Sequence, residues 1–133
     1  MTLSMIILNY AIVSNSMLML EFGVYHHLNK IYMSLLMGTL TLVGHYVLNR
    51  NWIMASVWTG ISMILLLMIR QQILINDEQF TKAMIEHHSM AVQMATAIKN
   101  KTSNPNVLKL AQEIITSQSQ EIRLMKSWLT KNL

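Results

Sequence analysis

Residues 82–92 read Lys82-Ala83-Met84-Ile85-Glu86-His87-His88-Ser89-Met90-Ala91-Val92, two adjacent imidazoles and neighbouring thioethers inside an apolar pattern of helical period. An imidazole on an apolar face needs a partner, and imidazole with thioether is the ligand pairing that borderline and soft transition metals prefer, Cu(I) above all. Upstream, Asn76 or Asp77 is the expected N-cap, with Gln79 three residues after Asn76 completing a capping-box pattern, so a helix is predicted to start there and run to about Lys99. Asn100-Lys101-Thr102-Ser103-Asn104-Pro105 then combines turn formers with a proline suited to the first turn of a second helix. In that helix Val107, Ala111, Ile114, Gln118, Glu121, Ile122, Met125 and Leu129 recur at helical spacing. Residues 76–133 are therefore read as an antiparallel helical hairpin.

Residues 1–75 have a different composition. Their charges are Glu21, Lys30, Arg50 and Arg70, whereas the remaining 58 residues carry twelve. With 53% hydrophobic and 12% charged residues in all, the chain is read as an all-α protein with a membrane anchor over 1–75 and the hairpin over 76–133. Leu3–Phe22, Ile31–Leu48 and Trp52–Ile69 are apolar runs long enough to cross a hydrocarbon core of about 30 Å, which predicts three transmembrane helices. Asn9, Ser14, Asn15 and Ser16 inside the first run are expected to hydrogen-bond to neighbouring helices. Met1–Tyr10 lacks the positive opening of a secretory signal, so these runs are read as spans that stay.

The net charge of +4 is spread too thinly for a nucleic-acid surface, and the lack of cysteine removes thiolate ligands and disulfides. Any metal must be held by nitrogen, oxygen or thioether. At about 100° per residue, Phe80, Met84, Ala91, Met94 and Ile98 cluster around His87, which places His87 at the centre of an apolar stripe. His88 diverges from it by about 100°, so the two rings are expected to enter different grooves rather than chelate one ion. Folding the hairpin about its turn sets Gln118 opposite His87 and Glu121 opposite Met84. The alternative is that Gln118 and Glu121 hydrogen-bond the imidazoles while the methionines fill a core.

The pattern Phe80-x-x-x-Met84-Ile85-x-His87-His88-x-x-Ala91-Val92-x-Met94-Ala95, with Ala111-x-x-Ile114-Ile115-x-x-Gln118-x-x-Glu121-Ile122-x-x-Met125-x-x-Trp128-Leu129, resembles the domain-of-unknown-function family numbered 305, in a form that follows several membrane spans. The resemblance implies a ferritin-like hairpin that builds a four-helix bundle by self-association. It also implies copper binding in exported settings, with Met84, His87, His88, Met94, Gln118 and Glu121 as the metal residues. Glu86 stands where similar sequences often place proline.

His26-His27, at the end of the first run, is a second metal pair or an interfacial anchor beside Tyr25 and Lys30. No Glu-x-x-His set, zinc-protease motif or nucleophile elbow is present, so no enzymatic constellation is read. The expectation is a membrane-anchored copper-binding protein of sequestration, tolerance or transfer. It would be a homo-oligomer in contact with lipid, its hairpin on the extracytoplasmic face. The rival is a structural subunit of a larger membrane assembly.

Overall fold

The computed structural model describes residues 2–131, and all regular structure among them is helical. Five helices follow one another: α1 (Thr2–Ala11), α2 (Leu28–Leu48), α3 (Trp52–Arg70), α4 (Asp77–Lys99) and α5 (Pro105–Thr130), with short 3₁₀ turns at Val13–Asn15 and Leu20–Phe22. The chain divides into two compact units. One comprises residues 1–15 and 28–75, the other residues 16–27 and 76–133.

In the first unit, α2 and α3 form an antiparallel pair. Asn49 donates to the His45 carbonyl at 2.8 Å to end α2, and Asn51 caps α3 by accepting from the Met54 amide at 3.2 Å. Arg50 between them takes the left-handed conformation that so tight a connection requires. Across the pair Ser62 donates to Thr39 at 2.9 Å, and the Tyr32 hydroxyl donates to the Ile73 carbonyl at 3.1 Å. The buried positions are Lys30, Tyr32, Ser34, Gly38 and Thr39 on α2, and Ala55 and Ser62 on α3. Leu40, Val47, Ile53, Val57, Ile64 and Leu67 point outward. Mostly polar or small inside with large apolar outside is the reverse of a helix pair in water and suits helices surrounded by hydrocarbon. Both helices are long and apolar enough to cross a membrane.

The first of the three expected spans is not one continuous helix. α1 stops at Ala11, where the Ser14 hydroxyl donates to the Tyr10 carbonyl at 2.7 Å and the Asn15 amide to the Ala11 carbonyl at 3.0 Å. These side chains bond the carbonyls that the next helical turn would use, which is how Ser and Asn end helices. The Asn15 oxygen also accepts from the buried Lys30 ammonium, which lies 5.8 Å from the Tyr10 ring centre. Asn9 does bond a neighbouring helix, donating to Ser34 at 3.2 Å.

In the second unit, α4 and α5 pair as the hairpin. Asn76 caps α4 by accepting from the Gln79 amide at 2.8 Å, and Asn104 caps α5 with Pro105 in its first turn. Ile85, Val92, Ile122 and Met125 form the core between them, and burying each isoleucine fully contributes about 1.5–3 kcal/mol. The strap, as residues 16–27 are called below, is the third layer of this unit. Its Met19, Phe22 and Tyr25 pack on that core, Phe22 with Lys126 5.6 Å from its ring centre. Gly23 turns the strap at a φ of 89°, a conformation strained for any residue with a Cβ. Ile122→Ala is expected to lower unfolding free energy in detergent by about 2–5 kcal/mol, because Ile122 is fully enclosed. Leu124→Ala, on the exposed side of the same helix, should cost within about 0.5 kcal/mol in the same denaturant titration.

Candidate functional site

The sequence places His87 against α5; the structure places it in solvent and turns His88 to α5 instead. The reason is the choice of stripe. The hairpin closes on Ile85, Val92 and Ala95, a narrower stripe interrupted in sequence by Thr81 and Ser89, and leaves Phe80, His87, Met94 and Ile98 of the stripe centred on His87 exposed. The register also moves by one turn, so that Glu121, expected opposite Met84, meets His88 four residues later.

His88 is fixed at both ring nitrogens. Nδ1 lies 2.8 Å from the Met84 carbonyl oxygen, which only accepts, so this nitrogen carries a proton and donates. Nε2 lies 2.7 Å from Glu121 Oε2. Facing a carboxylate, Nε2 finds a partner either as a second N–H or as a lone pair that shares a cation with the carboxylate. The His88 side chain is 12% exposed and that of Glu121 55%, so one edge of the pair is open to solvent. One turn before Glu121, the Gln118 Oε1 is buried and has no hydrogen-bond partner among the described residues.

The six residues expected to bind metal do not come together as a set. His88 and Glu121 are in contact, and Gln118 lies on the same inner flank of α5. Met84 offers its carbonyl to His88 while its side chain packs against the core. Met94 and His87 lie on the exposed side of α4, the His87 ring centre 6.2 Å from that of His88. Among the described residues no three His, Asp or Glu side chains converge as a metal site. The side chains gathered there are thus one imidazole, one carboxylate and one amide, nitrogen and oxygen groups without a thioether.

A second constellation lies on the opposite flank of α4. Glu86, 6% exposed, accepts from the Tyr25 amide at 2.7 Å through Oε1, and its Oε2 lies 3.0 Å from Nε2 of His27, itself 8% exposed. Three residues on, the fully buried Ser89 hydroxyl accepts from the Met19 amide at 2.9 Å and lies 3.4 Å from the Met19 carbonyl. His26 is exposed, so the second histidine pair is split between surface and interior. Glu86 is the residue whose purpose sequence reasoning missed; a carboxylate on a flank otherwise made of Ile85, Ser89 and Val92 was the available signal. A buried carboxylate requires donors, and the distant strap supplies the Tyr25 amide and places the His27 ring beside it.

Comparison with known proteins gives two matches. The family model described as Domain of unknown function (DUF305) matches residues 74–132, the hairpin alone. "Uncharacterized protein L153" of Acanthamoeba polyphaga mimivirus is 39% identical over 108 residues, covering 77% of this chain and 71% of that protein. That alignment is longer than the family match, so the likeness extends into the residues before the hairpin. No solved structure matches the chain.

The two constellations differ in burial, and so in what their loss costs. Glu86→Ala should destabilise the fold by about 3–5 kcal/mol, since it strands a buried imidazole and a buried amide. His87→Ala should leave stability within about 0.5 kcal/mol. Both are read from denaturant unfolding of the full chain in detergent.

Proposed function

This chain belongs to the DUF305 family, and from its geometry we propose that it is a membrane-anchored protein whose hairpin captures a divalent transition-metal ion, copper(II) foremost, through His88 and Glu121. The observation that carries this reading is the fixed His88 ring. Its Nδ1–H is committed to the Met84 carbonyl and its Nε2 is aimed at a carboxylate 2.7 Å away, the arrangement in which a backbone partner orients a metal-binding imidazole. Gln118 supplies a third donor, an oxygen that is otherwise left unpaired among the described residues at a cost. A mixed nitrogen and oxygen set binds copper(II) more tightly than the other divalent first-row ions. The exposed carboxylate gives the ion a way in and out, as sequestration or transfer requires.

The anchor in this reading is the α2–α3 pair, whose outward surface is apolar and whose interior is small and polar. Self-association completes it. On the hairpin face that carries the His88–Glu121 pair, Phe80 and Trp128 stand exposed towards one end, Ile98 and Leu110 towards the other. The strap covers the opposite face. Two copies meeting on the open face would form a four-helix bundle and bring a second His88–Glu121 pair to the first, completing a coordination shell that one chain leaves short.

Titration of the full chain in detergent with Cu(II) tests capture: His88→Ala and Glu121→Ala should each weaken binding by about tenfold or more, and His87→Ala by far less. Equal affinity in wild type and His88→Ala would end the reading. Sedimentation of the Ile98→Asp/Leu110→Asp variant tests the pairing, which should fall to single copies with helix content retained.

A further inference from the structure

Helix α4 is gripped from two sides, and the grip on one side bears on the site at the other. Taking about 100° per residue, Glu86 and His88 point about 160° apart around the helix, Glu86 into the strap and His88 towards α5. The apolar core between the helices is directionless: Ile85 and Val92 would tolerate a small rotation of α4 by repacking. The Glu86 carboxylate would not. Its two oxygens are each committed, one to the Tyr25 amide at 2.7 Å and one to the His27 imidazole at 3.0 Å, and Ser89 adds a bond to the Met19 amide at 2.9 Å. Buried bonds of this kind fix one orientation, because any other leaves a buried charge unpaired.

The size of the effect follows from the geometry of a helix. Side-chain tips stand about 5–6 Å from the axis, so a rotation of about 20° carries a ring nitrogen by about 2 Å. That is enough to break the 2.7 Å contact between His88 and Glu121.

We propose that Glu86 is a positioning residue for the His88–Glu121 pair, acting from the opposite flank of α4 by holding the strap at Tyr25 and His27. The proposal rests on the reading of His88 and Glu121 as the capturing pair, and extends it to a residue that touches neither the pair nor the ion. The strap is thereby part of the site's construction, through bonds to Glu86 and Ser89 on the far flank of α4.

Three variants of the full chain in detergent separate positioning from general stability: Glu86→Leu, which removes both acceptors; Glu86→Gln, which keeps an acceptor for the Tyr25 amide; and Ile85→Val, which loosens the core and leaves every hydrogen bond in place. Two signals are read on each, the ¹⁵N shifts of the His88 imidazole and the affinity for Cu(II). Glu86→Leu should shift the His88 nitrogens towards those of a solvated ring and weaken Cu(II) binding by about tenfold, the usual cost of losing an outer partner. Glu86→Gln should recover affinity to within about threefold of wild type, and Ile85→Val should match wild type in both signals. Should Glu86→Leu fail to fold, His27→Phe, which removes the imidazole partner and fills its space, is read against the same outcomes. Wild-type His88 shifts in Glu86→Leu, or an equal loss in Ile85→Val, would overturn the proposal. If the wild type binds no Cu(II), the capture reading falls, while the His88 shifts still decide the positioning.

Discussion

A buried carboxylate organises the second unit of this protein. Glu86 sits 6% exposed on α4, and an ionised oxygen pair at that depth is tolerated only where donors reach it. They come from the strap, in the Tyr25 amide and the His27 ring. From that requirement follow the path of residues 16–27 over the hairpin, the burial of Met19, Phe22 and Tyr25 against Ile122 and Met125, and the side of α4 left facing α5. An apolar residue at position 86 could bury as much surface without specifying any of this. The strap would then be held by packing alone, which is compatible with several registers.

The two units solve the burial problem in opposite senses. In the hairpin and strap, isoleucine, valine and methionine are inside and the charged residues face outward, except where Glu86 and His27 satisfy one another. In the α2–α3 pair, serine, threonine and glycine are inside with Lys30 and Tyr32, and large apolar side chains are outside. In both, buried polar groups find partners: Ser62 with Thr39 in the first unit, Glu86 with Tyr25 and His27 in the second.

The helix boundaries of the hairpin were legible because they are local. Asn76 with Gln79 and Asn104 with Pro105 cap their helices through contacts within four residues, and such signals survive any tertiary arrangement. The break after Ala11 was less legible, since hydropathy sums over a window and Ser14 and Asn15 act on single carbonyls. The rotation of α4 was not legible. Two apolar stripes compete on that helix, and the one around His87 is the fuller by residue count. The structure buries the other because its apparent polar gaps, Glu86 and Ser89, are filled by partners some sixty to seventy residues away, which periodicity does not see. The expected pairing across the hairpin therefore shifts: the imidazole in contact with Glu121 is His88, not His87.

The strap also sets an order on the making of the molecule. Residues 16–27 are synthesised before the α2–α3 pair, and their partners on α4 only after it. At about 5–20 residues per second, His27 leaves the ribosome roughly 4–14 seconds before α4 is complete. Through that interval Met19, Phe22 and Tyr25 have been made, and the hairpin core on which they pack has not.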